Sequence, residues 1–327
     1  MNKRLMSGVL ACLTTAAIGC TDGSTGKRDD APPAAAASQG TPGALQAAHD
    51  AYLDGDFLAL GDRVRDVLLD PGASSLAKDN AYELLDKAYD TQKGRLPSRF
   101  VVPAEFEGIK LGLVKGMSPQ GPFNRMYLYG NIRDASRLKN VTVTRLPGEV
   151  LLDRATHTGE LVIKHDKAGY ETFVVERVVP ALPADGVLSL RLETTDGTVS
   201  EGWFISHSLA SSASPEIRTP SSSESIADVH PTVSWTPFRS PEYSPFEWRT
   251  LSVYVARETT KDLAWDLWMK DYGDLASVRI GEHPAGKRTS LIPGDYWLNI
   301  TCGEVRMFGP IAMARESRTV APFHLVP

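Results

Sequence analysis

Apolar residues alternate with polar ones across much of the stretch from 109 to 192, and that period of two constrains the fold more than any other feature of the chain. Ile109, Leu111 and Leu113, then Val141 and Val143, Leu161 and Ile163, Phe173 and Val175, and Leu188, Leu190 and Leu192 form the apolar sets. Thr142, Lys164, Ser189 and Arg191 are among the polar residues between them. Successive side chains of a strand point to opposite faces, so each set describes a half-buried strand. Strands repeating at this spacing predict an antiparallel β-sandwich over residues 96–207.

The period changes to that of a helix upstream, over 42–95. Thr41 stands as an N-cap before Pro42 in the first helical position, and Leu45, Ala48 and Tyr52 share one face,. Asp54-Gly55-Asp56 turns the chain into a second helix carrying Phe57, Leu60, Val64, Val67 and Leu68, which stops at Asp70-Pro71-Gly72,. Ser74 caps a third helix with Ala77, Ala81, Leu84, Leu85 and Ala88 as its stripe, and Gly94 ends it,. The run from Ala51 to Phe57, with Asp70-Pro71 later, resembles one hairpin of a tetratricopeptide repeat. Solenoids need about three stacked units, so the expectation is a small three-helix cap without a peptide groove.

A Ser-rich linker at 208–214 precedes a second β-rich module over 215–327, in which Leu298, Ile300 and Cys302 alternate,. The expected fold class is therefore multidomain α+β, with a small helical module followed by two antiparallel sandwiches of immunoglobulin or fibronectin III-like type. At 327 residues the chain is long enough for two or three cores,.

Families are resembled in each β module. Tyr129-Gly130-Asn131-Ile132-Arg133, Asn140-Val141-Thr142-Val143, Thr158-Gly159-Glu160-Leu161 and Gly169-Tyr170-Glu171 resemble the carboxypeptidase regulatory-like domain, a prealbumin-type sandwich. Pro147-Gly148-Glu149-Val150 and Lys167-Ala168-Gly169-Tyr170 are similar to the PEGA domain. Both resemblances imply a non-enzymatic accessory module. In the last module, Thr232-Val233-Ser234-Trp235-Thr236-Pro237 resembles the second strand of fibronectin type III with its core tryptophan. Leu251-Ser252-Val253-Tyr254-Val255 suits its third strand, and Leu291-Ile292-Pro293-Gly294-Asp295-Tyr296 resembles the tyrosine-corner approach to a late one,.

The first 20 residues have a positive start at Lys3 and Arg4, an apolar run from Leu5 to Ile18 and a closing Ala17-Ile18-Gly19-Cys20,. The run is too short for a mature transmembrane helix. The pattern resembles the lipobox of bacterial lipoproteins, which implies cleavage before Cys20 and its lipidation. By the same resemblance, Thr21 after the cysteine implies the outer membrane. Residues 21–41, rich in Ala, Ser, Gly, Pro and Asp, read as a disordered tether,. Loss of Lys3 and Arg4 with the signal takes the formal charge from −5 to −7, a balance that gives no sign of nucleic-acid binding,. Cys12 leaves with the signal and Cys20 is taken by lipid, so Cys302 remains as a buried small hydrophobe without a disulfide partner,.

Motif searches give no catalytic, metal or cofactor site. A nucleophile elbow, a His-Glu-x-x-His helix, a phosphate-binding glycine loop and a paired-cysteine metal site are all missing from the sequence,. Ser75-x-x-Lys78 and Ser136-x-x-Lys139 match one acyl-transfer motif, but its partner motifs are missing,. Asp54-Gly55-Asp56 lacks the ligand and glycine that a calcium loop needs at Leu58 and Ala59,. His157 and His165 are the closest histidine pair and read as surface residues.

Aromatic residues give the remaining functional signal, since five of the six tryptophans follow residue 230. Residues 261–270 read as an inserted short helix carrying Trp265 and Trp268, with Asp262 and Asp266 on its solvated side. Trp297, out of phase with Tyr296, Leu298 and Ile300, is expected to face away from the core, as is Tyr254 between Val253 and Val255. Two uses stay open for these rings: packing within the core or against the middle module, or a binding surface built from Tyr254, Trp265, Trp268 and Trp297. The expected function is that of a lipid-anchored envelope protein presenting its sandwiches to a protein or glycan partner. The alternatives are an assembly lipoprotein docking through its helices, and an unrecognised hydrolase.

Overall fold

The computed structural model describes residues 41–156, 164–167, 169–207, 214–221, 224–237, 246–284, 286 and 289–327, with the backbone alone for 164–167. The signal, Cys20 and the tether to residue 40, His157, Thr158 to Ile163, the His165 side chain and linker residues 208–213 lie outside the described residues.

Three helices come first, α1 (Thr41–Leu53), α2 (Phe57–Leu69) and α3 (Ser75–Thr91). Local chemistry sets their ends. The Asp56 carboxylate accepts the Ala59 N–H at 3.0 Å and the Ser74 hydroxyl accepts the Ala77 N–H at 3.2 Å, satisfying amides that a helix start leaves without partners,. Beyond α3, Gly94 takes φ 81° and donates its N–H to the Tyr89 carbonyl at 2.7 Å, a left-handed stop suited to glycine,. The apolar stripes do not form a core of their own. Ala48, Leu60, Val64, Leu85 and Tyr89 belong to one buried cluster with Leu188, Leu190, Phe204 and Phe308 of the strands.

The first group of strands is β1 (Arg95–Leu96), β2 (Phe106–Ser118), β3 (Gly121–Ile132), β4 (Leu138–Arg145), β5 (Glu149–Asp153), β6 (Lys164–Lys167), β7 (Tyr170–Val179), β8 (Gly186–Thr194) and β9 (Val199–Ser206). The second is β10 (Ile217–Thr219), β11 (Ser225–Ile226), β12 (Thr232–Trp235), β13 (Trp248–Arg257), β14 (Leu263–Lys270), β15 (Ser277–Arg279), β16 (Gly294–Phe308) and β17 (Ile311–Leu325). Among the described residues they make three sheets. The largest has ten strands, in the order β14-β13-β16-β17-β2-β3-β7-β6 with β1 and β11 at its margins. The smaller ones run β5-β4-β8-β9 and β10-β12-β15.

Two apolar cores lie on the same side of the large sheet. One gathers Leu111, Leu128, Phe173, Val143 and Leu190 between β2-β3-β7 and β5-β4-β8-β9, with the helices packed against it. The other gathers Trp235, Val253, Trp265, Leu298, Ile300 and Phe323 between β14-β13-β16-β17 and β10-β12-β15. Both are antiparallel sandwiches. The second carries two fibronectin III-like landmarks: Trp235 is fully buried, and the Tyr296 hydroxyl donates to the Ile292 carbonyl at 2.6 Å,.

β17 pairs in parallel with β2 from Ile311 opposite Ile109 to Thr319 opposite Met117, which joins the two halves into one sheet. The core-facing side chains of β16 show the passage from one core to the other. Tyr296, Leu298, Ile300 and Cys302 lie in the second core, Glu304 and Arg306 follow, and Phe308 lies in the first. On β17 the same face carries Ile311 and Met313, then Arg315 and Ser317, then Phe323 and Leu325. A charged seam therefore separates two apolar cores on a continuous pair of strands.

Residues 263–270 form β14, an edge strand of the large sheet, and not an inserted helix. The Trp265 and Trp268 spacing fits one helical turn, but Leu263, Trp265, Leu267 and Met269 also alternate. Pairing with β13, in the register Val253 opposite Leu267 and Val255 opposite Trp265, satisfies the backbone and buries both side chains in the second core,.

Candidate binding face

The face of the large sheet turned away from both cores follows from strand register. Val253, Val255, Leu298 and Ile300 face the second core, so Ser252, Tyr254, Trp297 and Asn299 face the other way,. Tyr254 sits opposite Asn299 on one side and Asp266 on the other. Trp268 is opposite Ser252 and Trp297 opposite Ala256, so each tryptophan is a diagonal neighbour of Tyr254. Diagonal pairs on a sheet stand about 7–8 Å apart, within reach of large rings. The structure thus aligns Trp268, Tyr254 and Trp297 along one diagonal across three strands. It places Trp265 on the opposite face, fully buried, which removes that ring from the surface set.

Exposure differs along the diagonal. Tyr254 is buried, at 8% of its surface, beneath its neighbours, while Trp268 and Trp297 remain partly exposed. Sequence reasoning missed Trp248, two strand repeats before Ser252 on this same face and partly exposed. Counting back by twos from Tyr254 would have found it. The Lys270 ammonium lies 4.5 Å from the Trp248 ring centroid and the Lys261 ammonium 5.7 Å from that of Trp297, both at cation–π distance,.

A polar network adjoins the rings. The Arg318 Nε donates to the Thr301 hydroxyl at 3.0 Å, Thr301 donates to the Asn299 side-chain Oδ1 at 3.1 Å, and the Asn299 Nδ2 donates to the Tyr254 hydroxyl at 2.6 Å. Further along, the Glu316 carboxylate accepts from the Lys110 ammonium at 2.8 Å and from the Tyr127 hydroxyl at 2.6 Å. Burial alone would raise the Glu316 pKa, but the Lys110 and Arg318 charges and these hydrogen bonds hold it below the ordinary glutamate value,. Burial with the Glu316 charge pushes the Tyr127 hydroxyl well above the usual range. Gly112 makes room for this contact, because a side chain there would occupy the space of the Tyr127 ring. The apolar cluster on this face, Val114, Tyr127 and Val174 with Phe123 and Tyr129, comes wholly from strands of the sheet itself.

The partly exposed Trp248, Trp268 and Trp297 rings, with Lys270 and Lys261 beside two of them, can bind by stacking, whereas the Tyr254 hydroxyl, the Asn299 amide and the Thr301 hydroxyl are buried and spent on one another,. Such a surface suits a sugar ring or a protein anchor.

In the second Ser-x-x-Lys pair each side chain is engaged elsewhere. Ser136 donates to Asp134 at 2.6 Å while Lys139 pairs with Glu193 at 2.6 Å. Among the described residues no group of three or more histidines, cysteines or acids is placed to hold a metal ion. Asp56 serves as a helix cap.

A second polar cluster sits at the seam between the cores. His207, just past β9, has Nε2 3.0 Å from an Asp86 oxygen on α3 and Nδ1 3.2 Å from an Asp185 oxygen in the β7–β8 loop. The Arg306 guanidinium holds the other Asp86 oxygen at 3.0 Å, and that of Arg315 holds the other Asp185 oxygen at 3.3 Å. Tyr82 stacks on the imidazole, with centroids 4.3 Å apart and planes at 9°. A cleft lined by His207, Arg306, Arg315 and Leu113 opens beside them. Its enclosed part has room for little more than a water molecule,. With both ring nitrogens on carboxylates, His207 has none left to take a proton from a nucleophile.

No family model and no curated protein matches the chain. Among solved structures, the tandem Ig repeats of Dlar superimpose with a TM-score of 0.28 at 14% identity, over 68% of this chain and 99% of theirs. The FN1–FN3 domains of chicken CNTN1 give 0.21 at 11% identity, over 68% and 66%. A tetra-tandem repeat from the extending region of a large adhesion protein gives 0.20 at 12% identity, over 65% and 49%. At these scores the fold assignment rests on the strand order, Trp235 and the Tyr296 corner, and not on the superpositions.

Proposed function

We propose that this chain is a non-enzymatic binding protein of the bacterial cell envelope, anchored by lipid on Cys20, that presents the outer face of its large sheet to a protein or glycan partner. The observation that carries the binding reading is the diagonal of Trp268, Tyr254 and Trp297 on a face remote from both cores. The lipobox resemblance of residues 17–20 supports the anchor, and Thr21 supports the outer membrane. The carboxypeptidase regulatory-like and PEGA resemblances of residues 129–170 support an accessory role for the first sandwich. The acidic balance of the chain supports a partner other than nucleic acid,.

Docking through the helices receives less support. It calls for an exposed apolar stripe, whereas Leu60, Val64, Val67, Leu85 and Ala88 are all spent on the first core.

The test compares the wild type with a Trp268→Ala, Trp297→Ala double variant whose near-ultraviolet circular dichroism and thermal midpoint are unchanged. Both are assayed against a polysaccharide panel and by crosslinking in cells. A ligand or crosslinked partner lost by the folded variant supports the outer face as the binding site. Undiminished binding by the variant sinks it.

A further inference from the structure

The five charged groups at the seam form an alternating chain, Arg306, Asp86, His207, Asp185 and Arg315, with the imidazole at its centre. Its members come from five places: β16, α3, the residue after β9, the β7–β8 loop and β17. A neutral imidazole has one N–H and one bare lone pair. Both ring nitrogens of His207 face carboxylate oxygens at hydrogen-bond distance, so only the protonated ring can donate to both. Loss of the proton turns one of the two contacts into a lone pair set against a carboxylate.

We infer that His207 is a proton-operated latch that ties α3 and the β7–β8 loop to the strands joining the two sandwiches, closed when the imidazole is charged and loosened when it is neutral. The two arginines are part of the device. Each holds the far oxygen of one aspartate and so keeps the near oxygen aimed at the ring. On α3, Asp86 and the stacked Tyr82 face the imidazole, with Tyr89 under the Arg306 guanidinium at 4.6 Å. From the loop comes Asp185, from β16 Glu304 and Arg306, and from β17 Arg315. Burial alone would lower the His207 pKa, but the hydrogen bonds to Asp185 and Asp86 outweigh it and hold it above the ordinary histidine value,. The latch is therefore fully closed below about pH 6.5 and opens as pH rises through the elevated folded value.

The experiment is amide hydrogen exchange of the full-length protein, corrected for intrinsic rates, between pH 5.5 and 9. Loss of one charge-assisted contact predicts that protection of Ser75–Thr91 falls roughly tenfold to a hundredfold over that range, while β16 stays protected. His207→Phe, which keeps the ring stacked on Tyr82, is expected to show the low protection at every pH. A flat wild-type profile overturns the latch. So does the same pH dependence in His207→Phe, or an equal loss over the whole chain. Should His207→Phe not fold, nuclear magnetic resonance titration of the imidazole in the wild type and in Asp185→Asn decides. A lower pKa in the variant is expected, and an unchanged one overturns the inference.

Discussion

Trp265 and Trp268 are three residues apart in the chain and point to opposite faces of the same strand, one sealed in the second core and the other on the outer face. Their substitutions must therefore separate. Trp265→Ala leaves a large cavity and is expected to cost about 3–5 kcal/mol of stability. Trp268→Ala is expected to cost about 1 kcal/mol or less, since its ring is partly in water already. Denaturant unfolding of the two single variants checks this, and equal losses would contradict the strand register.

Glu316 is paired with Lys110 in a setting where neither side chain is more than 12% exposed. Lys110→Met takes the ion-pair partner from a buried carboxylate that keeps the Tyr127 hydroxyl and the Arg318 charge, and is expected to destabilise by about 3 kcal/mol,. Because the folded pKa of Glu316 is depressed, its stabilisation is present above the unfolded value near pH 4.3 and is lost as pH falls through the folded value,. The stability gap between wild type and Glu316→Gln should therefore close on acidification from pH 6, as read by urea midpoints at several pH values.

Tyr296→Phe removes a single hydrogen bond while keeping the ring stacked on Phe323 at 5.3 Å. The expected loss is about 0.5–1.5 kcal/mol without change in the unfolding slope. A larger loss would mean that the corner fixes more of the β15–β16 connection than one bond.

Cys302 is fully buried, and burial pushes its thiol up to about 12. In protein lacking residues 1–20 it is the sole cysteine. A thiol reagent at pH 8 is expected to modify it only after denaturation. Rapid reaction in the native state would show that the second core opens readily.

What could be read from the sequence was mostly local. Ser74 caps its helix through its own neighbour, and Trp297 reveals its side by alternation with Tyr296 and Leu298. Tyr296 and Trp235 sit in turn and strand contexts that carry their landmark roles within a few residues. β14 was misread because its eight residues satisfy both a helical pair of tryptophans and a strand alternation, and only the partner strand decides. The seam was hidden for another reason. Asp86 and Arg306 meet across 220 residues of chain, and no spacing rule brings them together. The parallel pairing of β2 with β17 is equally silent, since nothing in either strand specifies a partner some 200 residues away,.

β16 and β17 are each 15 residues long and contribute side chains to both cores. Such a hairpin is a splint about 50 Å long. Modules strung on a loose linker can fold toward each other, but these two cannot do so without breaking the ladder they share. Tension along the chain would load the parallel rungs between Ile109 and Met117 of β2 and Ile311 and Thr319 of β17 together, in shear, instead of opening them one by one. On the proposed function, that stiffness would make the molecule a strut, holding a partner on the outer face at a fixed distance from the helices.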